Sequence, residues 1–580
     1  MDLSRRSWLA GLTAAAFAQR QSRRPNVLLI MSDDQGYGDL SLHGNLHLKT
    51  PNLDQLGRDG VQFRRFCVSP VCAPTRSSLL TGRYNLRCGV WGVTHGKETM
   101  RREETTLAEA LRAAGYDTAL YGKWHLGEHY PYVPHAQGFE EFIGFRTGHW
   151  MNYFDSMLER NGKPYATRGY ITDAITDHAV QFLERQRASP FFLYVAYNAP
   201  HSPFQVPEKY LESFRKADLD DETRAVYAMV SNLDENVGRL LARLEGLGLA
   251  RDTIVIFLTD NGPNGRRFNA GLRASKGAVY EGGVRAPFFI RWPAGFSGGR
   301  AEKTLAAHID VYPTILDLCG VEPSRGLPVD GMSLAPLLVN RGVSWPDRIL
   351  YTHREAERNP SAVWPGAART QRFNLVNGEE LYDLASDPGE SRNVAREHPD
   401  VAKRLRGAYE AWYKVAGEQC GYRRPAIPVG YAEEDPVVLP APQSYFTGGL
   451  GFAGGPGYAH DWITGWTNPA DFVHWEIDVA RAGLFDVKLR YLCPETDAGT
   501  RVAVQSGGAR VEAQVARGTP MDPKPSRDVV PRNYRVMHWG ELDCGRLALE
   551  RGEVRLNLTA VEKKGATVAD VKEIELRRVG

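Results

Sequence analysis

The chain has 580 residues, 42% of them hydrophobic and 24% charged, with a formal net charge of +2. That length calls for a large core plus at least one smaller domain, and the composition excludes both a disordered chain and a polytopic membrane protein. Near-neutrality carries no footprint for nucleic acid and leaves anion binding to a local cluster of side chains.

At the start, Ser4-Arg5-Arg6-Ser7-Trp8-Leu9 precedes a mildly apolar run over 10–18. Paired arginines before such a run form a twin-arginine export signal. The run is too short to span a bilayer, and Ala16-Phe17-Ala18 offers a small-x-small cleavage site. Residues 1–24 are therefore assigned as a signal peptide, although a frayed amphipathic helix is a competing account. The expectations are the twin-arginine export machinery as a partner, a periplasmic or extracellular bacterial location, and no stable membrane insertion. The seven cysteines, Cys67, Cys72, Cys88, Cys319, Cys420, Cys493 and Cys544, match neither a zinc ligand set nor a disulfide framework. An odd count invites one special cysteine.

Continuous apolar runs at Asn26–Ser32, 118–122, Phe191–Ala196 and Thr253–Thr259 predict buried parallel strands. Amphipathic helices alternate with them. One covers 107–114, with Thr106 and Glu109 in capping-box spacing and a stop at Gly115; another presents Val226, Val230, Leu233, Val237, Leu240, Leu241 and Leu244 on one face. The predicted fold class is α/β, a largely parallel central sheet flanked by helices over 25–310. A helix at 311–319 and a strand at 380–384 before Asp387-Pro388-Gly389 indicate a smaller α+β subdomain over 311–430. The Pro/Gly-rich passage 431–457 is expected to be a linker or crossing segment. Period-two runs at 474–479 and 484–491 around Ala482-Gly483 predict a hairpin, and with 501–504, 511–515, 554–558 and 574–576 a β-sandwich over 458–580.

The polar residues cluster at strand ends: Asp33 and Asp34 after the first, Lys123 and His125 at the second, His201 after the third, Asp260 and Asn261 after the fourth. Open α/β sheets bind ligands outside the carboxyl ends of their strands. A turn or helix cap explains one Asp-Asp or Asp-Asn-Gly pair alone. Two such pairs at one rim place like charges together and call for a cation. Their oxygens favour calcium, with magnesium second. Lys123 and His125, two apart in a strand-like segment, are expected on the same side.

The stretch Cys72-x-Pro74-x-Arg76, followed by Leu79 and Thr81-Gly82-Arg83, resembles the sulfatase signature. The resemblance spans about 25–430, through Asp33-Asp34-x-Gly36, Gly122-Lys123-Trp124-His125, Pro200-His201, Thr259-Asp260-Asn261-Gly262 and Lys276-Gly277. It implies an alkaline-phosphatase-like core and a Cys72 oxidised to formylglycine by a separate maturation enzyme. It further implies a calcium ion held by Asp33, Asp34, Asp260 and Asn261 and touching the nucleophile at 72, with Arg76, Lys123, His125, His201 and Lys276 catalytic or sulfate-binding. A hydrated aldehyde supplies two hydroxyls, one to attack sulfur and one to lose a proton so that the sulfated intermediate collapses. His125 is assigned to that proton, and His201 with Lys276 to the leaving oxygen.

For substrate, the loop around His149 and Asn152 and the arginine Arg267 are candidate contacts for a sulfated sugar or glycan, loop packing being the alternative. Trp462, Trp466, Trp475 and Trp539 fit either a sugar-stacking platform or a sandwich core. Two other functions stay open: an arylsulfatase or a phosphonate or phosphate-ester hydrolase with the same site, and a glycan-binding protein in which Cys72 is unmodified.

Overall fold

A computed structural model describes residues 24–579 except 186, 323–325, 340–342, 357–358 and 532–534. The expected signal, 1–24, lies outside the described residues but for Arg24. Among the described residues no helix is long and apolar enough to cross a membrane.

The central sheet has ten strands, and four of them carry the site: β1 (Asn26–Ser32), β2 (Asp117–Lys123), β3 (Phe191–Ala196) and β4 (Thr253–Thr259). They lie side by side in the order β4, β1, β3, β2, all parallel. Beyond β4 the antiparallel Phe288–Arg291 leads through Val61–Phe63 to the edge strand Arg300–Glu302, and the antiparallel ribbon Met157–Arg160 with Lys163–Ala166 closes the far side. The unbroken apolar runs follow from burial on both faces. Val27, Leu29 and Met31 of β1 enter one core and Leu28 and Ile30 the other; Ile254, Ile256 and Leu258 of β4 oppose Val255 and Phe257 in the same way.

Three helices matter for the site and its support. α1 (Cys72–Thr81) is buried along its whole length. α2 (Leu107–Ala113) starts with the expected reciprocal cap between Thr106 and Glu109. α3 (Asp221–Gly246) is capped by the Asp220 carboxylate on the Thr223 amide and buries its predicted face, Leu241 lying at the half-buried margin. After the core, a four-stranded antiparallel sheet from Leu350–His353 to Glu380–Asp383 packs against the helix Pro399–Cys420.

The C-terminal region is a sandwich of two six-stranded sheets around one core. Phe472–Val479 pairs with Gly552–Glu562 in one sheet, Gly483–Leu492 with Gly540–Leu549 and Asp570–Val579 in the other. The predicted hairpin is therefore incorrect: the turn at Ala482-Gly483 carries the chain across the core between sheets. Alternation specifies which face is buried, not which strand is the neighbour. The passage 431–457 also departs from a linker. Val437–Pro440 pairs with Asp570–Val579, Tyr445–Phe446 with Phe472–Val479, and Gly451–Phe452 with Ile463–Thr464. Trp466 and Trp475 are wholly buried in the sandwich core, their indole N–H groups donating to the Asp471 and Pro440 carbonyls, and Trp462 packs beside Trp539. They form no exposed platform.

Candidate active site

Register builds the acidic corner. Ser32 of β1 lies opposite Thr259 of β4, so the next residues, Asp33-Asp34 and Asp260-Asn261, emerge side by side. All four are buried. Asp34 sits in the left-handed region at φ 65°, a conformation costing about 1–3 kcal/mol outside glycine. It is held there by its amide on Asp260 Oδ1 (3.2 Å) and by Asn261 Nδ2 on its Oδ1 (2.8 Å).

Three cations face these three carboxylates. Lys123 Nζ lies 2.5 Å from Asp33 Oδ2, Lys276 Nζ 2.5 Å from Asp34 Oδ1, and Arg76 Nη2 2.8 Å from Asp260 Oδ2. Burial, reinforced by Asp33, still pushes Asp260 up to about 6, and burial raises Asp33. Burial opposes ionisation of Asp34 as well, but Lys276 and His201 outweigh it and hold that carboxyl low. Crowded carboxylates whose oxygens are not all satisfied are what a hard cation relieves. Asp33 Oδ1, Asp34 Oδ2 and Asn261 Oδ1 are buried with no hydrogen-bond partner, so three hard oxygens stay open to such an ion. Oxygens of Asp33 and Asp260 also come within 4.8 Å of Cys72 Sγ, and those of Asp33 and Asp34 within the same span of an imidazole nitrogen of His201.

Cys72 is the first residue of α1, buried and unpaired like the other six cysteines. Arg76, one turn on, reaches Asp260 and also donates to the Lys123 carbonyl (3.3 Å). His125 departs from the strand expectation: β2 ends at Lys123, and His125 takes φ 63°. Its Nε2 donates to the Val93 carbonyl (2.8 Å), leaving Nδ1 buried without a partner as the basic nitrogen. Gly148 makes room for this ring, since a Cβ there would lie 2.7 Å from His125 Nε2. His201 donates from Nδ1 to the Ser202 carbonyl (2.6 Å), and its Nε2 lies 3.6 Å from Asp34 Oδ2. Burial, then Lys123, holds His125 well below the usual imidazole range; burial brings His201 down to about 3. Lys276 stays protonated because Asp34 outweighs its burial.

A cavity of about 250 Å³ opens on Cys72, His125, His149, His201 and Lys276. Of the three expected sugar contacts only His149 lies here, its ring stacked 6.0 Å from that of His201. Asn152 faces elsewhere, closing its own turn through Phe154 O (2.6 Å) and Phe154 N (3.2 Å). Arg267 points inward to the Asp39 carboxylate (2.7 Å), the Asp34 carbonyl (2.9 Å) and the Asn264 carbonyl (2.5 Å), so it buttresses the acidic corner. Missing from the sequence expectation are Arg354, just past Leu350–His353, and Tyr458 with Ala459 from the sandwich, all of which line the cavity. Arg354 follows a strand end and had a legible signal; Tyr458 sits in a Gly-Pro-Gly-Tyr turn that composition marks only as a loop.

Residues 25–321 match the family model described as Sulfatase, and 274–411 one described as N-sulphoglucosamine sulphohydrolase, C-terminal. The chain is 30% identical over 422 residues to the N-acetylgalactosamine-6-sulfatase of Mus musculus, spanning 66% of this chain and 78% of that one. It is 31% identical over 463 residues to arylsulfatase A of Homo sapiens, spanning 68% and 89% respectively. Among solved structures it is similar to Ps i-CgsB in complex with k-i-k-neocarrahexaose, with TM-score 0.65, 27% identity and coverage of 70% of this chain and 95% of that one.

Proposed function

The chain belongs to the sulfatase family, hydrolases of sulfate esters, and on that premise we propose that it removes sulfate from a sulfated carbohydrate with a formylglycine made from Cys72 and a calcium ion at the acidic corner. One observation carries this reading: three carboxylates and an amide meet at the ends of β1 and β4, with unpaired buried oxygens, beside Cys72 at the start of α1. Asp33, Asp34, Asp260 and Asn261 would hold the ion, magnesium being second choice. When bound, it supplies Lewis-acid stabilisation of sulfate oxygens, and the hydrated formylglycine supplies the attacking hydroxyl.

The other steps fall to the chain's own side chains. Without the ion, three acids face three bases at neutral balance. A divalent ion leaves two positive charges in excess, which suits a sulfate ester and the charge that develops on it. Arg76 and Lys123 fix the carboxylates beside residue 72. His125, neutral with Nδ1 free, is the base for a proton at residue 72. Lys276 brings the charge for the leaving oxygen; His201 beside it is held neutral by burial and donates only after taking up a proton.

The carbohydrate is favoured by His149 on the cavity wall and by the relatives named for N-acetylgalactosamine 6-sulfate and crystallised with neocarrahexaose. Export by the twin-arginine route, through residues 1–24, is part of the same proposal. The test pairs the mass of the tryptic peptide containing Cys72, from protein made in its own host, with sulfate release from sulfated sugars and phosphate release from phosphate esters. An aldehyde-mass peptide with sulfate release supports the proposal. An unmodified cysteine with no release favours a glycan-binding protein, and preferential phosphate release favours the phosphoester hydrolase.

A further inference from the structure

Beside the cavity at Cys72 lies a larger one of about 490 Å³, and Val71, Val93, Arg354 and Tyr458 border both. They form one two-lobed cleft with Tyr458 and Arg354 at its waist. The first lobe is smaller than the roughly 300–1,000 Å³ that suits a drug-sized ligand, and the second lies within it. The Tyr458 wall comes from the sandwich and lies beyond both matched family segments, 25–321 and 274–411.

Tyr458 is 47% exposed although its backbone is held from several sides. Thr94 Oγ1 donates to the Gly457 carbonyl (3.1 Å) and His95 Nε2 to the Pro456 carbonyl (3.0 Å). The Gly454 amide donates to the Asp461 carboxylate (3.0 Å), and Lys572 Nζ to the His460 carbonyl. An aromatic ring on a fixed backbone, facing water in a cleft, is a ready platform for the apolar face of a sugar. The second lobe is furnished to match. His353 Nδ1 donates to Tyr409 Oη (2.9 Å), whose own O–H donates to the Val363 carbonyl, so the buried His353 Nε2 is an acceptor with no partner. Lys97 and Glu355 neutralise each other at 2.5 Å. An unpaired acceptor, a closed ion pair and an aromatic wall suit a hydroxyl-rich ring.

We infer that the second lobe binds a further sugar residue of the substrate, with Tyr458 stacking on it and His353 Nε2 accepting one of its hydroxyls. The enzyme then acts on sulfate carried by an oligosaccharide, and the sandwich is a specificity element of the active site. This rests on the sulfated-carbohydrate reading above.

The test compares kcat/KM for 4-nitrophenyl sulfate, N-acetylgalactosamine 6-sulfate, and hexasaccharides of chondroitin 6-sulfate and of carrageenan, the hexasaccharides also serving as competitors of the aryl ester. Wild type is expected to favour at least one hexasaccharide over the monosaccharide by about tenfold, the worth of one good aromatic contact. Tyr458→Ala should remove that preference through KM, Tyr458→Phe should restore it, and His353→Gln should weaken it. Equal preference in wild type and Tyr458→Ala overturns the inference. So does aryl ester turnover with no hexasaccharide cleaved or competing, which leaves the hydrolase intact. Failure to release sulfate from any ester, the aryl one included, refutes the hydrolase reading and this inference with it.

Discussion

Replacing Gly148 by alanine adds one methyl group against the ring of His125. The new Cβ would lie 2.7 Å from Nε2 and 2.9 Å from Cε1, where ordinary contact begins at 3.4 Å, so ring or loop must give by 0.7 Å. The ring is buried on a residue already in the left-handed region, and its Nε2 is tied to the Val93 carbonyl at 2.8 Å. A shift of that size strains the bond that fixes the tautomer. If His125 is the base as proposed, misplacing it by about 1 Å costs up to about 10²-fold, so Gly148→Ala should lower kcat/KM by about 10- to 100-fold. Overpacking should cost about 1–3 kcal/mol of stability. The assay is aryl sulfate turnover with thermal unfolding, for Gly148→Ala, His125→Ala and the double variant. If the methyl acts through His125, the double variant is no slower than His125→Ala alone. Wild-type turnover by Gly148→Ala, or a further loss in the double variant, refutes the reasoning.

Dialysis against a chelator should abolish turnover and lower Tm, and calcium should restore both better than magnesium; an ion at 100 times its Kd contributes about 2.7 kcal/mol to stability. Glu281, buried, accepts from Arg285 Nε (2.6 Å) and Arg369 Nε (2.7 Å), and those arginines outweigh burial to bring its carboxyl down to about 2 from 4.5. A depressed carboxylate stabilises the fold fully above its unfolded pKa and loses that contribution as pH falls through the folded one, so about 3 kcal/mol should disappear between about pH 4.5 and 2. Glu281→Gln should lower Tm at pH 7 and flatten the acid limb of Tm against pH; an unchanged acid limb would count against the pairing. Arg267→Met should weaken calcium affinity measured by titration, because Asp39 and the Asp34 carbonyl lose their donor, whereas Asn152→Ala should leave kcat/KM within about twofold.

The central strands and the acidic corner were legible because both arise from short-range pattern: continuous apolar runs need cover on both faces, and polar residues at their ends have one rim to occupy. Direction within the rim was not legible. Arg267 follows Asp260-Asn261 closely, yet its side chain turns inward to Asp39, a partner 228 positions away. His125 breaks the period-two rule because the strand stops at Lys123 and the backbone changes hand. In the sandwich, 474–479 and 484–491 announced strands correctly but not their neighbours, since alternation is satisfied equally by a hairpin and by a crossing between sheets. Short strands within 431–457 were hidden by glycine and proline, and they form only because long partners such as Asp570–Val579 supply the other half of each ladder.

The hold of Lys572 on the His460 carbonyl has a consequence for how this molecule is made and altered. Asp33 and Asp34 leave the ribosome early, but the cleft beside them lacks one wall until Asp570–Val579 has been translated and zipped against its neighbours. A nascent chain arrested before that strand, or a gene trimmed to its first 430 codons, would keep the acidic corner and lose the Tyr458 wall. Shuffling C-terminal modules between relatives should therefore exchange selectivity, much as replacing a tool's jaw changes what it grips while the handle stays the same.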